Sequence, residues 1–502
     1  MDKSEIREFY KDKNVLVTGG TGFMGKVLIE KLLRDTDVST IYVLIRGKRG
    51  KNAHSRIDDL FDDVLFDGLK ERQPKCKNRV EAIPGDCTLA GLGLSITDRQ
   101  RLISDVHVVF HVAATVNFDE PIKAAYDINV NGPKDLIGLA REMRNLKSVL
   151  HISTAYSHCT QQTIEEKCYD VPVDYEDLER ALQKLTPEEA EVCTPRILGK
   201  WPNTYTFTKA LAESVVRNVG NGLPIGIFRP GIVVSTYKEP VPGWIDNMYG
   251  PTGVAAGTIS GALRVVRCDP DKTAELVPVD TCVAAMVACA WDVAREDNPR
   301  TAESVPVYNY VSSPENPIFW REFMDLNFIH GLQYPLSNAI WCSITFLVVR
   351  REFYWLAKVL LHVLPAFFID MMLVATGNKP RLLSLYKKVH KFSGAVAYFS
   401  LREWKFSNNN VQALWAKMNK TDQLLFPFSM ANVPWLLYFR GYIKGVRLYL
   451  LKDPDSTLER SKIRNRRFVA LNTVFKVIAV FIVSHLASYV ILKLYHIVLG
   501  RH

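Results

Sequence analysis

At 502 residues the chain is too long for one compact core and predicts two or three structural units. Hydrophobic residues make up 48% and charged residues 23%, which excludes both a disordered chain and a polytopic membrane protein. Lys and Arg (63) outnumber Asp and Glu (53), and the resulting charge of +10 favours anionic partners such as phosphorylated cofactors, coenzymes or an anionic lipid surface; no nucleic-acid partner is expected.

The first segment, MDKSEIREFYKDKN, is charged throughout and does not read as a secretory signal. Beyond it, short β-rich runs alternate with helical stretches, the pattern of a parallel sheet wound by helices. Strands are expected over residues 14–19, 40–46, 79–86, 107–113, 147–153 and 223–230, and helices over 25–34, 124–143 and 206–218. The strand segments are near-continuous apolar runs, as suits strands buried on both faces. Residues 159–201, acidic and rich in Pro and Thr, are expected to form an insertion over the sheet's carboxyl edge. From 231 to about 328 the alternation loosens, and this part is expected to build the substrate side. A mostly helical unit follows from about 336.

Two segments of that unit bear on membranes. Residues 353–376 are strongly apolar but carry Lys358, His362, Pro365 and Asp370, so they suit either a membrane-inserted or interfacial helix or a domain core. Residues 468–492 hold one charge, Lys476, and at 1.5 Å per residue can cross a hydrocarbon layer of about 30 Å. The preceding KIRNRR contributes Lys462, Arg464, Arg466 and Arg467, which places the large N-terminal part in the cytosol. The alternative for this segment is a buried or interfacial helix. The nine cysteines form no C-x-x-C pair, so neither a disulfide framework nor a zinc site is expected, and a reducing compartment fits.

The strongest local motif is VTGGTGFMG, between an expected strand and an expected helix. Gly19 suits the tight turn, Gly22 a close backbone approach to a pyrophosphate, and Gly25 the packing of helix on strand. Thr21 and Phe23 in the same loop, and Ala113 at the end of the fourth strand, are expected beside the cofactor. The second strand ends VLIRGKRG, without the acid that an NAD site uses for the ribose. Arg46, Lys48 and Arg49 stand there instead, able to neutralise a 2′-phosphate, so NADPH is the expected cofactor. Asp86, after the third strand, can hydrogen-bond an adenine edge. In NTYTFTKALAE, Tyr205 and Lys209 lie four residues apart and share one helix face. The ammonium is expected to lower the phenol's pKa toward a useful acid, and to hydrogen-bond the nicotinamide ribose. HISTAY supplies two hydroxyls for the substrate oxygen, Ser153 and Thr154. Together these form a short-chain dehydrogenase/reductase site.

The run VTGGTGFMGKVLIEKLLR, YVLIRGK, FHVAATVNF, INVNG, HISTAY, PNTYTFTKALAE, FRPGIV, EPVPGWIDNMYGPTG and LVPVD resembles the alcohol-forming fatty acyl-CoA reductases, animal and especially insect members. The resemblance covers about residues 10–330 and continues more weakly through NKPRLLSLYKKVHK and YFSLREWKFSNNN. It implies reduction of a long-chain acyl-CoA to a primary alcohol with two NADPH, through a bound aldehyde. It assigns Tyr205 as proton donor and Lys209 as its tuner, favours Thr154 over Ser153, and matches Asn129 to an asparagine supporting the cofactor side. Gly231 in FRPGIVV replaces a serine common elsewhere in the family, with no expected active-site consequence.

The expected fold is thus α/β: a doubly wound parallel sheet of the Rossmann, extended short-chain reductase type, with a C-terminal helical domain and membrane helix. The units run 10–235 (NADPH-binding), 236–335 (substrate-binding), 336–460 (helical) and 468–492 (transmembrane). Covalent catalysis through Cys159 is not required. Lys200 and Lys238 are candidates for coenzyme A phosphates, and Phe367, Phe368 and Leu373 for an acyl passage. Membrane lipid is an expected partner, with endoplasmic reticulum favoured over peroxisome, and a homo-oligomer is compatible with the chain. Two rival readings remain: another membrane-bound extended reductase acting on a sterol or sugar nucleotide, and a non-catalytic cofactor-binding scaffold.

Overall fold

The computed structural model describes residues 3–47, 50, 52–295 and 300–499. Its centre is a sheet of seven strands: β1 (Val15–Thr18), β2 (Ile41–Ile45), β3 (Val80–Pro84), β4 (Val108–His111), β5 (Ser148–Ile152), β6 (Ile225–Pro230) and β7 (Val307–Tyr310). Their order is β7-β6-β5-β4-β1-β2-β3, and neighbours pair in parallel. Val17, for example, sits between Val43 and Phe110. The six expected strands are present with shorter ends. The seventh lies in the stretch where the alternation loosens.

Burial on both faces explains the apolar runs. Val15, Val17, Ile41 and Val43 point into one core, whereas Leu16, Tyr42 and Leu44 point into the other. Four helices bear on the site: α1 (Phe23–Asp35), α2 (Gly132–Glu142), α3 (Thr204–Val219) and α4 (Val279–Val293). Helices α1 and α4 pack on the first face and α2 and α3 on the second. Every residue of α4 is buried, because C-terminal residues such as Val411 and Leu414 cover the side away from the sheet. The strand order reverses between β1 and β4, and the crevice at their carboxyl ends is where such sheets bind ligands.

The 159–201 insertion differs from expectation. Its first part runs along the carboxyl ends of β6 and β7, where Arg229 donates to the carbonyls of Glu165 and Lys167 and Asn309 to that of Ile164. The remainder folds into two helices, Tyr175–Lys184 and Pro187–Leu198, whose Leu178, Leu182 and Ala190 pack into the α2/α3 core rather than over the sheet edge. An amphipathic face was available there for burial, as Tyr175, Leu178 and Leu182 fall at helical spacing.

The C-terminal part comprises α5 (Arg351–Ala375), α6 (Leu382–Ser400) and α7 (Leu458–Leu499), with shorter helices between the last two. Among the described residues two segments are long and apolar enough to cross a membrane, Arg351–Ala375 and Asp455–Ile497.

The PGWIDN motif is a structural clamp. Trp244 is buried, stacks on Phe23 at 5.5 Å, and donates its indole N–H to Asp63 at 3.0 Å. Lys26 of α1 bridges Asp63 and Asp246. Gly243 adopts φ +77°, and a Cβ there would lie 2.2 Å from the Gly441 carbonyl oxygen, so only glycine lets this loop meet the C-terminal helix Trp435–Gly445. The motif therefore ties the start of α1 to the C-terminal part. Trp244→Ala is expected to destabilise the protein by about 3–5 kcal/mol, read by denaturant titration. Trp244→Phe should recover most of that loss, since it keeps the stacking and forfeits the bond to Asp63.

Candidate active site

The loop after β1 is shaped by absent side chains. Gly19 has φ +72°, and a Cβ on it would stand 2.7 Å from the backbone nitrogen of Ala113. One on Gly25 would stand 2.3 Å from the Gly19 oxygen. Gly22 caps α1 without a side chain, and the first turn carries no acid, so its amide donors face the crevice unopposed. This cradle fits a dinucleotide's pyrophosphate. The Phe23 ring turns away to Trp244, leaving its backbone N–H, at the first helical position, as its contribution.

Arg46 is exposed at the end of β2. Lys48 and Arg49 lie outside the described residues. A residue that sequence reasoning missed stands beside Arg46: Arg56 donates to the Arg46 carbonyl and to Thr21 Oγ1, both at 2.8 Å. Burial and then the nearby Arg46 charge draw the Arg56 guanidinium below its ordinary value. Two like charges held together at this place suit an anion between them. The overlooked signal was a lone arginine in the helix (Ala53–Phe61) that follows β2. Asp86, half-buried after β3, accepts from the Thr88 N–H at 3.0 Å.

Helix α3 begins where Asn203 accepts from the Thr206 N–H at 2.9 Å, a side-chain cap. It aligns Tyr205, Lys209 and Glu213 at four-residue intervals. Lys209 Nζ donates to the carbonyl of Ile152, the last residue of β5, at 2.7 Å. Tyr205 and Thr154 line one cavity, and the Thr154 hydroxyl is close enough to act on the phenol. Ser153 is committed elsewhere, donating to Glu213 at 2.5 Å. The geometry thus separates the two hydroxyls of HISTAY. Asn129 lies in a π-helical turn, Asp127–Asn131, that interrupts the helix before α2. Its amide accepts from the Thr115 N–H at 3.0 Å and donates to Thr208 at 2.9 Å, linking the loop after β4 to α3.

The electrostatics depart from expectation. Burial pushes the Tyr205 phenol up to about 12, with the Thr154 hydroxyl working the other way, rather than down under the influence of Lys209. The Lys209 ammonium is itself brought down to about 8 by burial, with Glu213 opposing. In an apolar wall, loss of water outweighs the neighbouring charge. Burial also raises the Cys159 thiol to about 11, which suits a structural cysteine and not a nucleophile.

Sequence reasoning also missed the charge centre beneath the site. Glu213 is 2% exposed and accepts from Ser153, Ser157, His158 and, through both oxygens, Arg229. The available signal was an acid four residues beyond Lys209 among Ala210, Leu211, Ala212, Val215 and Val216.

The cavity above Tyr205 is almost wholly apolar. Phe118, Ile232, Val254, Trp320, Phe323, Met324 and Phe399 line it, with Thr154 and Tyr205 in the same wall. Phe367 and Phe368 are half exposed on the outer surface, and neither they nor Leu373 border it. The acyl-passage expectation is corrected: α6, not α5, supplies the wall, through Val396, Phe399 and Ser400. Lys200 and Lys238 are exposed and lie outside the lining.

Two family models, both described as male sterility protein, match residues 17–286 and 361–453. The chain is 45% identical to fatty acyl-CoA reductase wat of Drosophila melanogaster, over 98% of this chain and 95% of that protein. It is 37% identical to fatty acyl-CoA reductase 1 of Xenopus laevis (94% and 92%) and 35% identical to human fatty acyl-CoA reductase 2 (96% and 93%). Among solved structures, the terminal R domain of the myxalamid PKS-NRPS pathway shares the fold at TM-score 0.56 and 20% identity, covering 89% of this chain and 93% of that one. A wound sheet with a glycine cradle, a Tyr–Lys helix and an apolar cavity accords with these likenesses, and the chain belongs to the fatty acyl-CoA reductase family.

Proposed function

We propose that the protein reduces long-chain fatty acyl-CoA to a primary alcohol and free coenzyme A with two NADPH, through an aldehyde that stays bound. The observation that carries this reading is the apolar cavity with the Thr154 and Tyr205 hydroxyls in its wall. Burying an alkyl chain is favourable by about 0.8 kcal/mol per methylene, and the cavity offers apolar surface along its length. A sugar-nucleotide substrate gains no support from it, since a sugar nucleotide needs many polar partners.

NADPH, when bound, supplies hydride beside the thioester carbon. The chain's own part is to hold and neutralise the oxygen. Thr154 and Tyr205 direct two O–H donors at the position where negative charge develops, and the Lys209 ammonium adds a positive field from beneath. A phenol at about 12 stays protonated across the working range yet remains far more acidic than an aliphatic alcohol, so Tyr205 gives its proton to the alkoxide of the second reduction. In the first reduction the same donors hold the tetrahedral oxyanion until it collapses, the carbonyl reforms and coenzyme A leaves as thiolate. Gly19, Gly22 and Gly25 would cradle the pyrophosphate, and Arg46 with Arg56 the 2′-phosphate. Helix α7 anchors the enzyme, with the catalytic part in the cytosol.

The deciding experiment uses purified protein, palmitoyl-CoA and NADPH, following thiol release, NADPH oxidation and the lipid product. The alcohol, with two NADPH consumed per thiol, is expected. One NADPH per thiol would mean that reaction stops at the aldehyde, and no thiol would sink the substrate assignment. Tyr205→Phe and Thr154→Val should each lower kcat by about 10²–10³-fold, with Ser153→Ala much milder. Activity should fall as pH rises through about 8, where Lys209 loses its proton; a flat profile to pH 10 would remove the ammonium from the mechanism. Arg56→Leu should raise KM for NADPH about tenfold, near 1.4 kcal/mol, and leave that for NADH unchanged.

A further inference from the structure

Helix α5 is built inside out. Two of its polar groups, His362 and Asp370, point into the protein. His362 is buried, accepts from the Arg264 N–H at 2.9 Å and meets His390 at 3.1 Å. Asp370 is also buried and accepts from the backbone N–H groups of Arg381, Leu382 and Leu383, each at 2.9 Å, so it caps the start of α6 and closes a helical hairpin. The outward face holds Leu360, Leu364, Phe367, Phe368, Met371 and Met372, all between 43% and 67% exposed. An aqueous helix has the opposite arrangement, and a continuous apolar surface of this kind requires a partner.

We propose that this face docks on an anionic bilayer leaflet, with α5 lying in the interface plane and not crossing it. Charge identifies the lipid surface as the occupant. Lys379 and Arg381 at the hairpin tip, and Lys387 and Lys388 in α6, are exposed. An upright hairpin would carry Lys387 and Lys388 into hydrocarbon, whereas a flat one leaves them level with the phosphates. Position supports the same occupant. Trp341 packs on Phe468 and Phe475 of α7, and the Arg264 guanidinium lies 4.8 Å from the Trp341 ring centre. Arg264 therefore joins α5, through His362, to the start of the apolar stretch of α7, so the two apolar helices adjoin. Docking by α5 does not depend on which substrate fills the cavity. If that substrate is an acyl chain, α6 is both partner of the docked helix and wall of the cavity, so the chain passes from leaflet to site without crossing water.

The test reconstitutes the full chain in phosphatidylcholine–phosphatidylserine vesicles with a trace of phospholipid carrying a photoreactive diazirine in its tail. After irradiation, adducts are mapped by mass spectrometry. Adducts are expected on the outward face of α5 as well as on 468–492, and Lys387→Glu with Lys388→Glu should reduce those on α5 severalfold relative to those on α7. Adducts confined to α7 would overturn the proposal. A membrane-impermeant amine reagent separates flat from spanning: Lys379 should react in the vesicles whose catalytic-part lysines react. Protection of Lys379 until detergent is added would show a crossing helix and refute the interfacial placement. Because the readout is lipid contact, failure of the palmitoyl-CoA assay would leave it unaffected.

Discussion

The site is organised around one buried negative charge. Glu213 sits on the face of α3 that carries Tyr205 and Lys209, and its carboxylate collects donors from the segment after β5 (Ser153, Ser157, His158) and from β6 (Arg229). Arg229, with no exposure, reaches on to the insertion at Glu165 and Lys167. The Arg229 guanidinium and His158 hold the carboxyl well below its usual range in spite of burial. A buried pair of this kind contributes little net stability against an apolar replacement, but removing one partner alone costs about 3–5 kcal/mol. Its consequence is positional. With Ser153 held on Glu213, the next hydroxyl, Thr154, is the one left facing the cavity, and α3 is fixed in rotation so that Tyr205 meets it.

That arrangement also sets the proton chemistry. A lysine four residues from a tyrosine suggests a phenol made acidic by its neighbour, yet the protein interior raises the phenol and lowers the ammonium. Both shifts have one cause, removal of water from a wall shared with the apolar cavity. The two properties are therefore linked: a cavity dry enough to accept an alkyl chain cannot also stabilise a free phenolate. In the proposed reaction Tyr205 is a donor that is always loaded, and the positive charge that would steady the oxygen belongs to Lys209, anchored on the Ile152 carbonyl. Glu213 keeps that lysine from losing its proton lower still.

Much of this was legible in the sequence because it rests on local spacing. The glycine loop, six buried strands, and the Tyr205–Lys209 pair are written in runs of ten residues or fewer. The segments less legible are those whose burial is supplied from far along the chain. Helix α4 is apolar on all sides, so it has no periodic stripe to mark it as a helix. β7 is a four-residue strand whose pairing with β6 joins segments about eighty positions apart. The cavity draws on Phe118, Trp320 and Phe399 from three distant segments, a convergence no local pattern announces. The purpose of PGWIDN was equally hidden, because Trp244 finds its partner in Phe23, at the other end of the sheet domain's chain.

The C-terminal helices show how one composition admits opposite readings. Lys358, His362, Pro365 and Asp370, counted along residues 353–376, argue against lipid and for a domain core instead. Direction resolves the conflict. His362 and Asp370 are satisfied inward, and the side chains left outward are the ones a core would have buried. An acyl chain of fourteen methylenes resists transfer to water by roughly 11 kcal/mol, a cost that any route through water to a dry cavity carries. With the outer face of α5 on lipid, as proposed, the cavity wall and the lipid-facing surface would stand on the two helices of one hairpin, and that cost would be avoided without any catalytic residue taking part. On this view the polar groups of α5 are neither defects of a membrane helix nor signs of a soluble one. They hold the hairpin closed from within while its outer face stays available to lipid.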